Sequence, residues 1–329
     1  MCDSERYRIA AHYPLFEFLI ESVVIEIKSI FPSNENEINL VRFIGRYQYL
    51  ASKDSEYFFN DTYYPKRITK LIKNGIIRRY KKFLVLADDG YNFMKILAQH
   101  TSPLVYQKKY ADRLKYMSHL AALYNKNKYI TFTPSFEIKD KTAFTESSRK
   151  YIGILKIFGT NYLTYHISEE HTQKYINSVI YDLQKETKHK NVIVLINDIK
   201  RIDLRDFAFG LNSVIICEDN DEKLQQLKYL HQVNWPKIIY QLYNNNVHLS
   251  EYNFCDYTDN RDKYITNFYF IDTEKINRID TFLKNNNQKQ ADIICSDSIV
   301  RFLGQELPTA NYKLINLDEY IEKDIKIYD

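Results

Sequence analysis

Glycine and proline are scarce in this chain, with seven of each in 329 residues. So few glycines leave no Gly-rich phosphate loop, and the G-x-S-x-G turn that exposes a nucleophilic serine does not occur. The four cysteines, Cys2, Cys217, Cys255 and Cys295, lie far apart and form no C-x-x-C pair. That excludes the usual zinc and disulfide frameworks and fits a reducing cytosol. Asp3, Glu5, Arg6 and Arg8 give the N-terminus none of the character of a secretory leader. No long apolar run survives either, because Glu17, Glu21, Glu26 and Lys28 interrupt the stretch from Tyr13 to Phe31. These absences imply a cytoplasmic protein with no membrane segment, no metal and no cofactor.

Acidic residues are missing from one stretch in particular. Thr62 to Lys82, TYYPKRITKLIKNGIIRRYKK, carries eight Lys or Arg and no Asp or Glu. The whole chain nets +4, so taking those eight away leaves −4 for the remainder. Positive charge is therefore local, and a local basic patch points to a polyanionic partner.

A chain of 329 residues allows two or three domains. Leu15, Leu19, Val23 and Ile27 predict a helix over Pro14–Ile30, followed by the polar break FPSNENE. Ile38, Val41, Ile44 and Tyr47 share the face of a second helix, EINLVRFIGRYQYLA. A short helix DSEYFF is expected behind Ser52 and Asp54 as caps. Another begins near Thr62, with Pro65 in its first turn, and stops at Asn74-Gly75. IIRRY and KFLVLA then read as short strands joined by Lys81 and Lys82, and a helix starts near Asp88. The order helix, helix, helix, strand, strand, helix is that of a winged helix-turn-helix over residues 36–100. Residues 1–35 form an N-terminal helical segment and 101–329 an α/β domain, so the fold class is α/β overall.

Within the third of these helices, Ile68, Leu71 and Ile72 predict a packing face, with Tyr63, Lys66, Arg67, Lys70 and Lys73 opposite. Arg78, Arg79, Lys81 and Lys82 fall on or beside the wing. Lys70, Lys73, Lys81 and Lys82 suit phosphate, whereas Tyr63, Lys66 and Arg67, on the early turns, suit base edges. Double-stranded DNA is the expected partner.

The motif KRITKLIKNGIIRR, followed by FLVLADDGYNFM, resembles the N-terminal part of the replication-relaxation family. Its members are winged-helix proteins of plasmids and other mobile elements, some linked to replication or mobilisation. YADRLKYMSHLAALYNKNKYITFTPSFEI resembles the helix and strand that follow in that family, with His119 at the comparable place. The resemblance implies a second domain like a restriction-endonuclease fold, and replication or mobilisation proteins as further partners.

A nuclease of that fold requires an acid on one strand and an acid-x-Lys pair on the next. The corresponding places hold Lys150 and Tyr151, then Tyr165, His166 and Ile167, so no catalytic residue is assigned. His166 and His171 are five apart, not the four that puts two metal ligands on one helical face. Glu169 and Glu170 fit a helix start, and Asp198, Glu218-Asp219 and Asp297 each follow a strand. A relaxase-type Tyr nucleophile would need a His cluster that is missing. The reading is a binder of DNA in replication control or mobilisation, whose second half provides dimerisation or a partner surface. Alternatives are a divergent metal-dependent nuclease, a transcriptional regulator of the same element, or a winged helix that docks protein.

Overall fold

A computed structural model describes residues 34–59, 61–101, 103–139, 150–185, 191–207, 213–286 and 289–317, together with Pro32. The helix expected over Pro14–Ile30 lies outside the described residues. The molecule is mixed α/β, and its contacts divide it into two units, one ending at Lys126 and the other starting at Asn127. No helix among the described residues is long and apolar enough to cross a membrane.

In the first unit, helix α1 (Glu35–Tyr47) is capped by Asn34, whose side chain accepts the Asn36 amide at 2.9 Å. Leu40, Val41, Ile44 and Tyr47 recur at helical spacing and are buried. The helix is shorter than the sequence predicts. Gln48 turns the chain at a φ of +68°, and Leu50–Ala51 leave as strand β1. The expected second helix is a 3₁₀ turn over Lys53–Phe58, tightened by the Ser55 hydroxyl donating to the Ser52 carbonyl at 2.7 Å. Asp54 does not cap it. That carboxylate is buried, 2.9 Å from Nδ1 of His119.

Helix α2 (Tyr64–Lys73) starts with Pro65 in its first turn and ends on a left-handed glycine. The Gly75 amide bonds the Ile72 carbonyl at 3.1 Å and the Ile76 amide bonds the Leu71 carbonyl at 3.0 Å, with Gly75 at a φ of +67°. This double closure satisfies the last carbonyls and releases the chain into a strand. β2 (Ile77–Tyr80) and β3 (Phe83–Leu86) are antiparallel, and β1 pairs the other edge of β3, giving the order β1-β3-β2. Tyr80 faces Phe83, so the hairpin turn is Lys81 and Lys82 alone, with Lys81 at a φ of +56°.

Helix α3 (Asp88–Ile96) approaches the residue before β2 very closely. A Cβ on Gly90 would lie 2.0 Å from the Ile76 carbonyl oxygen. Helix α4 (Lys108–Leu123) belongs to this unit and covers its sheet, with Ala111 and Leu114 packed on Tyr49, Phe83 and Val85. The Ser118 hydroxyl donates to the Tyr49 carbonyl, and the Tyr49 hydroxyl donates to the Val105 carbonyl. The Val105 amide in turn donates to Oε1 of Gln48 at 3.0 Å.

In the second unit two mixed sheets follow one plan. β4 (Ile130–Pro134), β5 (Gly153–Ile157) and β6 (Thr160–Ile167) form an antiparallel meander. Helix α5 (Gln173–Lys185) then carries the chain across, so that β7 (Asn191–Ile196) and β8 (Ser213–Glu218) run parallel to β6. After helix α6 (Trp235–Leu242) comes a second meander of β9 (Val247–Leu249), β10 (Tyr257–Asp259) and β11 (Tyr264–Asn267). β12 (Ile271–Asp272) closes the edge of the first sheet against β8. Helices α7 (Thr273–Asn285) and α8 (Asp297–Glu306) then lead to β13 (Ala291–Cys295) and β14 (Asn311–Leu314), both parallel to β11.

β7, sequence NVIVLI, is buried from Val192 to Ile196, the continuous apolar run a central parallel strand requires. Strand alternation sorts the second sheet. Tyr264 and Ile293 join one cluster with Ile276, Ile279 and Leu303, while Ile265 and Ile294 join another with Ile238 and Ile239 of α6. β6, β7 and β8 end side by side, which sets three loops together at one sheet edge.

Candidate nucleic-acid interface

Along α2, apolar and cationic residues separate by face. Ile68 and Leu71 are buried, whereas Lys66, Lys70 and Lys73 are exposed. Tyr63 precedes the helix and is 64% exposed, its amide donating to Oδ1 of Asp61 at 3.0 Å. The Lys66 ammonium lies 5.3 Å from the centroid of that ring, so cation and aromatic form a single exposed step.

Arg67 behaves differently. It is half-buried, with Nη2 3.3 Å from Oδ2 of Asp61 and Nη1 3.7 Å from Oε1 of Glu37. Glu37 is buried on α1, so Arg67 is the charge partner that makes its burial tolerable. Asp61 directly precedes the acid-free stretch, and the fold brings Glu37 to it from α1. The sequence groups Arg67 with Lys66 and Tyr63 as readers of base edges. In the structure its contacts are those of a positioning residue that holds α2 on α1.

Successive side chains on β2 alternate faces. Arg78 pairs across the sheet with Val85 and Arg79 with Leu84, so these neighbouring cations project to opposite sides. Nη2 of Arg78 donates to the Tyr106 hydroxyl at 3.3 Å. Arg79, Lys81 and Lys82 are exposed, and each lysine ammonium sits 5.9 Å from the ring beside it, Tyr80 and Phe83 respectively. Among the described residues, no carboxylate pairs with Lys66, Lys70, Lys73, Arg79, Lys81 or Lys82. Five of these six are lysines, flexible point charges suited to phosphate more than to a fixed fork.

Sequence reading passes over Tyr106. The segment after α3 brings it beside β2, 60% exposed, with its ring 5.8 Å from that of Tyr80. Nothing in the local pattern marks it, because its partners stand 26 and 28 positions away, at Tyr80 and Arg78. His119, singled out by the family resemblance, is the α4 residue that pins the buried Asp54 of the 3₁₀ turn.

The chain matches no family model, no curated protein and no solved structure.

The second unit collects polar side chains where β6, β7 and β8 end. Nε2 of His166 lies 3.0 Å from Oδ2 of Asp219, and Nδ2 of Asn197 donates to the same oxygen at 3.0 Å. The turn after β6 returns His171 to this edge, its ring centroid 5.9 Å from that of His166 and 3.9 Å from that of Tyr175. A spacing of five, unsuited to one helical face, brings the two rings together through a strand end and its turn. Arg201 clamps that turn by donating to the carbonyls of Ser168 at 2.8 Å, Glu169 at 2.7 Å and His171.

The Ser168 amide donates to Nδ1 of His171 at 2.9 Å, so the neutral ring carries its proton on Nε2. Burial first, then the neighbouring His166 and Arg201, push the His171 imidazole down from its ordinary 6.5 to about 4. Asp198 caps the short turn Ile199–Arg201 by accepting the Lys200 amide at 3.1 Å, and Asp297 opens α8. A carboxylate-held imidazole has the form of a proton-transfer pair. Here Asp219 also holds Asn197, so the group ties three strand ends together. Among the described residues, no three or more His, Cys, Asp or Glu are grouped to hold a metal ion.

Proposed function

We propose that the first unit is a winged helix-turn-helix that binds double-stranded DNA in the cytoplasm, with α2 as the recognition helix and the β2–β3 hairpin as the wing. The observation that carries this reading is the set of six exposed cations on one helix and one hairpin, none held by a carboxylate among the described residues. Two further features support it. The elements run α1, β1, 3₁₀ turn, α2, β2, β3, with the sheet order β1-β3-β2. The Arg67–Glu37 ion pair ties α2 to α1, which leaves the outer face of α2 free to meet a partner.

Lys70, Lys73, Lys81 and Lys82 contact phosphate in this reading, while Lys66 and Tyr63 reach base edges. The family resemblance extends the proposal to replication control or mobilisation of a plasmid, phage or integrative element. The meander-then-parallel plan of the second unit supports a degenerate restriction-endonuclease-like body that serves dimerisation or a partner protein.

A mobility-shift titration on the element's own intergenic DNA tests the central claim. Lys70→Ala is expected to weaken all duplexes alike and to lower the slope of log affinity against log salt by about one. Lys66→Ala is expected to relax sequence preference. Duplex affinity that ignores salt, or that Lys70→Ala leaves intact, overturns the reading and points to a winged helix that docks protein.

A further inference from the structure

An exposed tyrosine is ordinarily free to change rotamer, and burial of its ring by a ligand then has to overcome that freedom. Tyr106 is exposed yet fixed. Its hydroxyl accepts from Arg78, its ring meets that of Tyr80 nearly edge-on, and 60% of its surface is still open. The backbone beneath it is also held, because the Val105 amide donates to Gln48 and the Val105 carbonyl accepts from Tyr49. The fold therefore presents a preorganised aromatic face next to the Arg78 guanidinium, on the side of β2 opposite Arg79, beside the hairpin that carries Lys81 and Lys82.

We propose that Tyr106 is a stacking platform for an unpaired nucleotide at the edge of the duplex held by the first unit, so that its preferred ligand is duplex DNA running into single strand. The inference rests on the reading of that unit as a duplex binder. Inside a duplex both faces of each base are covered by neighbouring pairs. Only a base with a free face can gain from an exposed ring, and such stacking is tolerant of sequence. Arg78 is placed to meet the phosphate of the same nucleotide, because its guanidinium already touches the hydroxyl of that ring. Charge complementarity thus selects a nucleic acid, and the open ring selects an unpaired base.

The full-length chain can be titrated by fluorescence anisotropy against a blunt duplex and against the same duplex with a short 5′ or 3′ single-stranded extension. The first unpaired base of each extension is 2-aminopurine, whose fluorescence is quenched when an aromatic ring stacks on it. One extension is expected to bind about tenfold more tightly than the blunt duplex and to show quenching. Tyr106→Ala should erase both effects while changing blunt-duplex affinity by less than about twofold. Tyr106→Phe, which keeps the ring, should retain the quenching.

If the extension brings no gain in the unaltered protein, or Tyr106→Ala keeps the gain and the quenching, this inference fails while blunt-duplex binding still stands. Loss of salt-dependent binding to all three DNAs by the unaltered protein would remove the duplex reading and this inference together.

Discussion

His171 is held neutral by its surroundings. Protonation at Nδ1 would break the bond that this nitrogen accepts from the Ser168 amide, and it would place a charge beside Arg201 and His166. With the folded imidazole at about 4 and an unfolded histidine near 6.5, the unfolded chain binds the proton first as pH falls. The contribution of His171 to stability is therefore complete above 6.5 and drains away toward about 4. Urea unfolding at about pH 7 and about pH 5 should show a midpoint difference that shrinks in His171→Asn. Burial pushes the His231 imidazole down as well, so the comparison with the variant isolates the share of His171. A variant with the same midpoint difference as the parent would show that protonation of His171 is not what weakens the fold. The sequence names His166 and His171 but not their relation, because the partners Arg201 and Asp219 arrive from other strand ends.

Gly90 decides how α3 meets the rest of the first unit. The atom that a new Cβ would strike is a backbone carbonyl oxygen, 2.0 Å away, which cannot swing aside as a side chain could. Gly90→Ala should therefore destabilise by about 2–3 kcal/mol, read by chemical denaturation, since α3 has to shift to relieve the overlap. A loss below about 0.5 kcal/mol would mean that α3 can move without strain. Elements with strong punctuation were legible in the sequence. α2 carries Pro65 at one end and Asn74-Gly75 at the other, and its observed span Tyr64–Lys73 follows from those marks. β1 was not legible, because two residues become a strand only through pairing with β3, while their apolar pattern continues that of α1. The meander β9–β11 was hidden for a similar reason. Its strands are three or four residues long, and non-local pairing defines them more than local pattern does.

At the scale of the whole molecule the question is whether net charge or its placement governs binding. The acid-free stretch was visible in the sequence, but its effective boundary was not. Folding brings Glu37 and Asp61 to Arg67, and sets Asp89 against the Gly75 turn, so the working patch is smaller than the run of eight cations. Two variants of equal net charge separate placement from total. Lys70→Glu with Lys73→Glu takes the chain from +4 to zero, since each exchange removes two charges. Lys174→Glu with Lys200→Glu does the same using exposed lysines of the second unit. If the patch is the contact surface, the first pair should weaken duplex binding by about two orders of magnitude, because it puts carboxylates against phosphate. The second pair, outside the proposed contact surface, should stay within about threefold at physiological salt. Equal losses in a filter-binding titration would mean that the general field of the protein attracts DNA, and that the face of α2 holds no special place in the encounter.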